Sequence, residues 1–240
     1  SSAAGLLALL FGVAAISNLG GVFAMLNGRP YWYGPYLPIF LIASALTIGC
    51  AVIIFFTIIA YRIKGEPLDG EMTGSLEAVG KLATVMLAVV MFFTIWRMVT
   101  MTTGGTEMLL VLDALVKGPY AFSFWTLEVG LGMVIPFILF LLSGGKRVGF
   151  MFTAAVLMIF SIFFVRLNMV VLGEIVPLYW ELGVKEYSRL HPYVPTWHEI
   201  MVVLGGVGFS GVAFMLGEKI FKGMSEDNYA VTVAGGKADE

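Results

Sequence analysis

The sequence predicts an all-α integral membrane protein with about six transmembrane helices. Hydrophobic residues fill 59% of the 240 positions and charged residues only 12%, whereas a soluble domain carries about 25% charge. Six stretches, near 4–26, 36–61, 78–100, 120–142, 147–172 and 198–221, reach the roughly 20 apolar residues that cross a bilayer. They define a transmembrane domain over 1–222, followed by a polar tail over 223–240. A carboxylate, Glu128, stands inside the run Tyr120 to Leu142. A charge at that depth is costly enough that such residues face a bundle interior and serve ion or proton traffic.

The connections follow in order. Positions 27–35 (NGRPYWYGP) form a turn rich in Gly, Pro and aromatic residues, with Tyr31, Trp32 and Tyr33 at interface depth. Positions 62–77 are polar and mostly acidic, and 101–119 contain an amphipathic piece, TEMLLVLDALVKG, suited to lie along a surface. SGGK at 143–146 is a tight turn, and 174–197 is the longest connection, with Trp180, Tyr187, Tyr193 and Trp197 along it. Six spans place both termini with the 62–77 and 143–146 connections. That side holds Arg62, Lys64, Lys81, Lys146, Arg147, Lys219, Lys222 and Lys237, against Arg29, Lys117, Lys185 and Arg189 opposite. The bias predicts a multi-pass protein of the cell (inner) membrane with a cytoplasmic C-terminus.

Composition excludes several classes. A net charge of −2 without a basic stripe argues against a nucleic-acid partner. Cys50 is the only cysteine, so the chain offers no disulfide and no thiolate set for an iron–sulfur cluster. The two histidines, His191 and His198, sit together at one membrane surface, which excludes a transmembrane b-haem and matches no zinc pattern. No charged segment precedes the first apolar run, so it does not read as a signal peptide.

The polar residues within spans carry two readings each. Glu128 is a proton relay or quinol contact, or else a carboxyl tied to Arg97 or Arg166 for helix registry. Arg97 either snorkels to the interface or pairs with Glu128, Glu107 or Asp113. Arg166 belongs to a relay or snorkels, while Asn168 forms an interhelical hydrogen bond. Two positions apart, Arg166 and Asn168 diverge by about 200° on an α-helix, so they cannot share one partner. Asn18 is a quinone or packing contact. Glu174, His191, His198 and Glu199 form an outer proton exit or docking surface, or Thr196 and Glu199 form a capping box on the last helix.

Three stretches together carry a resemblance. GRPYWYGPYLPIFLIASALTIGCA at 28–51, FWTLEVGLGMVIP at 124–136, and RLNMVVLGEIVPL with YVPTWHEIMVVLGGVG at 166–178 and 193–208 resemble the NrfD/PsrC family of quinone-interacting membrane subunits. Glu128, Pro136, Arg166, Asn168, Gly173, Pro177, Tyr193, Pro195 and Glu199 fall on its motifs, with Thr196 where the family has Ser. The resemblance implies a subunit without a redox cofactor of its own. It would bind menaquinone or ubiquinone as substrate and exchange electrons with a peripheral iron–sulfur subunit on the outer face, docked on 101–119 and 174–196. Other membrane subunits and lipid complete the expected partners. Family members have more spans, which makes this sequence the C-terminal portion of such a protein, with a four-helix bundle from the last four spans. The quinone pocket would then draw on earlier helices, leaving Glu128, Arg97 and Arg166 as proton-path or structural groups.

Overall fold

A computed structural model describes residues 2–65, 67–68, 70–144, 146–175, 193 and 195–235, without the side chains of 2, 64, 214 and 218–235. Two units result, Ser1–Pro192 and Tyr193–Glu240. The first contains α1 (Ser2–Ala24), α2 (Tyr36–Lys64), α3 (Gly70–Thr102), α4 (Thr106–Val116), a π-helix π1 (Ser123–Val134) running into α5 (Ile135–Ser143), and α6 (Val148–Glu174). The second contains α7 (Trp197–Gly235). No strand occurs among the described residues. Among the described residues, six helices are long and apolar enough to cross a membrane, Ala3–Ala24, Tyr36–Ile63, Gly70–Thr102, Ser123–Ser143, Val148–Glu174 and Trp197–Gly217. They coincide with the six expected spans, and the chain is an all-α, multi-pass membrane protein.

Three local features differ from the sequence expectation. The acidic stretch 70–77 is not a loop but the start of α3, where Glu71 sits at the positive end of the helix dipole and Lys81 pairs with Glu77 at 2.8 Å. The fourth span is not one α-helix: it begins as π1 and becomes α5 at Ile135, just before Pro136. Proline offers no N–H and crowds the carbonyl four residues back, which favours the wider π ladder before it; the Ile135 N–H accordingly bonds the Gly130 carbonyl, five residues away. The last helix continues beyond the expected span, to Gly235.

The core of the first unit joins the second to fifth spans. Ala51, Ile54, Ala83, Leu87, Phe140, Met151 and Met158 meet there. The second to fifth spans thus share one core. The α1 helix leans on α2 through Gly20, where a Cβ would come within 2.5 Å of Pro38 Cα. At the opposite ends, Gly65 (φ +70°) and Gly144 (φ +53°) close α2 and α5 in left-handed caps. A smaller cluster of Val111, Ala114, Leu115, Tyr120, Phe124 and Leu172 seats the amphipathic α4.

The second unit opens with the expected half of a capping box. Glu199 Oε2 accepts from the Thr196 N–H at 2.6 Å and from the Thr196 hydroxyl at 2.9 Å. The same carboxylate accepts from the Tyr193 hydroxyl, which pushes the Tyr193 pKa up.

Candidate functional site

The turn at 27–35 folds back onto the end of α6. Trp32, nearly fully buried, donates from Nε1 to the Met169 carbonyl at 2.9 Å, and its ring meets Phe23 edge-on at 5.1 Å. Gly173 lies flat against that indole, for a Cβ there would stand 1.9 Å from a ring atom. Arg29 reaches the carbonyls of Gly173 and Glu174 at 3.4 Å each and pairs with the Glu174 carboxylate at 3.0 Å. A cation is thereby placed at the negative end of α6 and satisfies carbonyls that have no helical partner. Glu174 is an ion-pair partner in this arrangement.

Docked this way, the turn forms one end of a polar cavity within the bundle. The cavity has a volume of about 30 Å³ and is bounded by Tyr31, Tyr36, Thr94, Arg97, Glu128 and Asn168 among apolar neighbours. That is room for about two waters. Glu128 is 8% exposed and hangs from π1. Asn168 Nδ2 donates to its Oε2 at 2.8 Å, and the Ser123 hydroxyl donates to Asn168 Oδ1 at 2.9 Å. Ser123 and Glu128 are five residues apart, a divergence of about 140° on an α-helix. The π ladder turns both towards Asn168.

Arg97 is equally buried, at 8% exposure. Its guanidinium lies 4.3 Å from the Tyr31 ring centroid and 4.5 Å from that of Tyr36, and Nη2 donates to the Tyr31 carbonyl. Neither snorkelling nor ion pairing with Glu128 describes it. Among the described residues no ion pair joins the two, and the aromatic faces take the charge instead. Arg97 Nε has no hydrogen-bond partner among the described residues, and the side chain lines the cavity. Tyr31, in the turn, has its pKa pushed up to about 12, by burial first, with Arg97 opposing and Glu128 adding.

Arg166 points elsewhere. Its Nη2 donates to Ser44 Oγ of α2 at 2.9 Å, and Nη1 is buried without a partner among the described residues. The 200° divergence from Asn168 is therefore realised as two separate partners. Of the three expected site residues, Glu128 and Arg97 share a cavity and Arg166 stands outside it. Tyr36, Ser44 and Ser123 went unnoticed in the sequence; the interval Ser123 to Glu128 signals a shared face only once the π register is known. Asn18 is exposed on α1, and His198 is exposed on α7. His191, Pro177, Trp180 and Tyr187 lie outside the described residues. A wider, open groove of about 590 Å³ runs between α3 and α4, walled by Met98, Leu109, Leu112 and Val116 with Asp113 and Lys117 beside them.

The family model described as polysulphide reductase, NrfD, matches residues 2–177. A putative membrane subunit of dimethyl sulfoxide reductase from Halobacterium salinarum is 29% identical over 225 residues, covering 88% of this chain and 51% of its own length. A selenate reductase subunit from Mesobacillus selenatarsenatis is 23% identical over 207 residues, covering 85% and 46%. A protein of Nitratidesulfovibrio vulgaris is 26% identical over 198 residues, covering 77% and 44%. The chain thus spans about half the length of the curated relatives it matches. With the family match extending across the turn, π1 and α6, this chain belongs to the NrfD (polysulphide reductase) family of membrane proteins.

Proposed function

We propose that the chain is a membrane subunit of a respiratory oxidoreductase complex that passes electrons between the menaquinone or ubiquinone pool and a peripheral iron–sulfur subunit. In this reading the Glu128 cluster carries protons that accompany the electrons. The observation that carries it is a carboxyl buried in a span, hydrogen-bonded by Asn168 and opening on a water-sized polar cavity. Intramembrane carboxyls in such settings serve proton relays. The likeness to subunits of dimethyl sulfoxide and selenate reductases supports a place in a multi-subunit reductase.

A quinone ring does not fit the Glu128 cavity of about 30 Å³, since ligand pockets run to roughly 300–1,000 Å³. The ring is therefore assigned to helices beyond this cluster, and the chain's own residues to protons. Oxidation of a quinol yields two electrons and two protons; the electrons leave to the iron–sulfur subunit, and the Glu128 carboxylate, held by Asn168 through Oε2, takes up and releases the protons one at a time. Arg97 holds the turn over the cavity and limits water entry. The basic-residue bias supports an outer position for the turn and α4, and on that reading the peripheral subunit docks there and on the 174–196 connection.

The test is quinol-analogue oxidation by the intact purified complex, with Glu128→Gln beside wild type and assembly checked by gel filtration. Intact assembly with at least tenfold loss of turnover supports the proton role. Unchanged turnover with abolished proton movement would make the chain a conformationally driven translocator instead. If both persist, the chain is a structural anchor.

A further inference from the structure

A second cavity sits one step further along the same bundle. Its volume is also about 30 Å³, and its lining includes Ser44, Thr47, Gly132, Met133, Ser161 and Val165. Each wall is displaced by about two turns or less from the corresponding wall of the Glu128 cavity. On α2 Leu37 and Phe40 give way to Ser44 and Thr47; on π1 Glu128 gives way to Gly132; on α6 Asn168 gives way to Ser161. Val165 is common to both.

Its polar groups are arranged for a small neutral guest. Ser161 is 1% exposed and its hydroxyl has no partner among the described residues. Ser44 and Thr47 spend their protons on the carbonyls of Leu41 at 3.0 Å and Ala43 at 2.8 Å, which leaves oxygen lone pairs as acceptors. The rest of the lining, with Ile48, Leu87, Val90, Met158 and Ile162, is apolar, so the case for water rests on the three hydroxyls: an orphaned buried hydroxyl is costly, and a buried water needs about two to four polar partners. Gly132 keeps the space open, since a Cβ would come 2.8 Å from Ser161 Cβ.

We propose that this second cavity is a water-binding station, continuous with the Glu128 cavity past Val165, that extends the proton route towards the end of the bundle bearing Gly65 and Gly144. The water site stands on its own geometry; its role in proton passage rests on the function proposed above.

The test is silver-ion reactivity in the assembled complex, in a Cys50→Ala background that removes the chain's only cysteine. Ser161→Cys and Thr47→Cys report the chamber, and Ala155→Cys reports a dry core position at 0% exposure. Protection from maleimide is read on this chain after denaturation and separation. Silver ions, like water, reach only hydrated thiols, so both chamber variants should react at least tenfold faster than Ala155→Cys. Equal rates at all three positions overturn the water site. If Ser161→Cys does not assemble, Thr47→Cys decides. Val165→Leu, enlarging the shared wall, should slow the Ser161→Cys reaction at least fivefold; an unchanged rate overturns continuity with Glu128. A dry chamber leaves the Glu128→Gln turnover result standing, and a failed turnover result leaves the silver rates standing.

Discussion

Asn168 Nδ2 donates to Glu128 Oε2 at 2.8 Å while its Oδ1 accepts from Ser123, so one amide fixes the carboxyl and is itself fixed. Leucine in place of Asn168 would leave the carboxyl and the Ser123 hydroxyl without this partner. Asn168→Leu is expected to cost about 1–3 kcal/mol of stability and to lower quinol turnover with it. Glu128→Gln keeps an oxygen for Asn168 and should cost about 1 kcal/mol or less while losing at least tenfold in turnover. Thermal unfolding in detergent beside turnover separates the two effects. Equal stability loss in both variants would make Glu128 structural.

Arg97 rests between two aromatic faces at 4.3 and 4.5 Å and bonds the Tyr31 carbonyl. A planar guanidinium stacks on both rings at once, whereas an ammonium is a point charge with stronger hydration. Arg97→Lys is expected to lower stability by about 1–3 kcal/mol, from lost cation–π contact and hydrogen bonding. The turn at 27–35 should then become more accessible to protease. An unfolding midpoint within about 1 °C of wild type would show that the charge alone suffices.

Gly173 has no room for a side chain, because Trp32 occupies the position of its Cβ. Gly173→Ala must displace the indole and break its bond to the Met169 carbonyl. The expected cost is about 3 kcal/mol or more, the range of severe overpacking. Trp32→Phe removes the hydrogen bond together with part of the buried ring, and should cost about 2–4 kcal/mol. Combining Gly173→Ala with Trp32→Ala should recover part of the loss, since the clash is removed; strictly additive losses would place the strain elsewhere.

The spans were readable because apolar length is a local property, and Glu128 stood out because a carboxylate in such a run is locally anomalous. Its partner depended on a register that Pro136 alters, and an α-helical reading separates Ser123 from Glu128. Asn168 was identifiable as an interhelical group because an amide in a span seeks a partner helix, and Arg166 as pointing away from it from the angular spacing of one helix. The rest of Arg97's environment was illegible: Tyr31 lies 66 positions away in a turn whose fold-back no periodicity encodes. Ser161 carried no signal either. A serine in a helix usually bonds its own backbone, and only the structure leaves this one unpartnered.

Tyr31 provides a pH test of the docked turn. Its pKa rises from 10.0 to about 12 in the folded chain, so folding favours the neutral phenol. The stability this contributes is fully present below pH 10 and is lost as pH rises through about 12. Two pKa steps correspond to at most about 3 kcal/mol, and less here because the residue is only partly buried. Between pH 9 and 11 the wild-type unfolding temperature should therefore fall more steeply than that of Tyr31→Phe. The phenylalanine variant keeps the ring under Arg97 and the backbone carbonyl that Arg97 uses, so its stability near pH 8 should stay within about 1 kcal/mol of wild type. Parallel slopes for the two proteins would mean that Tyr31 is solvated in solution and that the turn does not close the cavity.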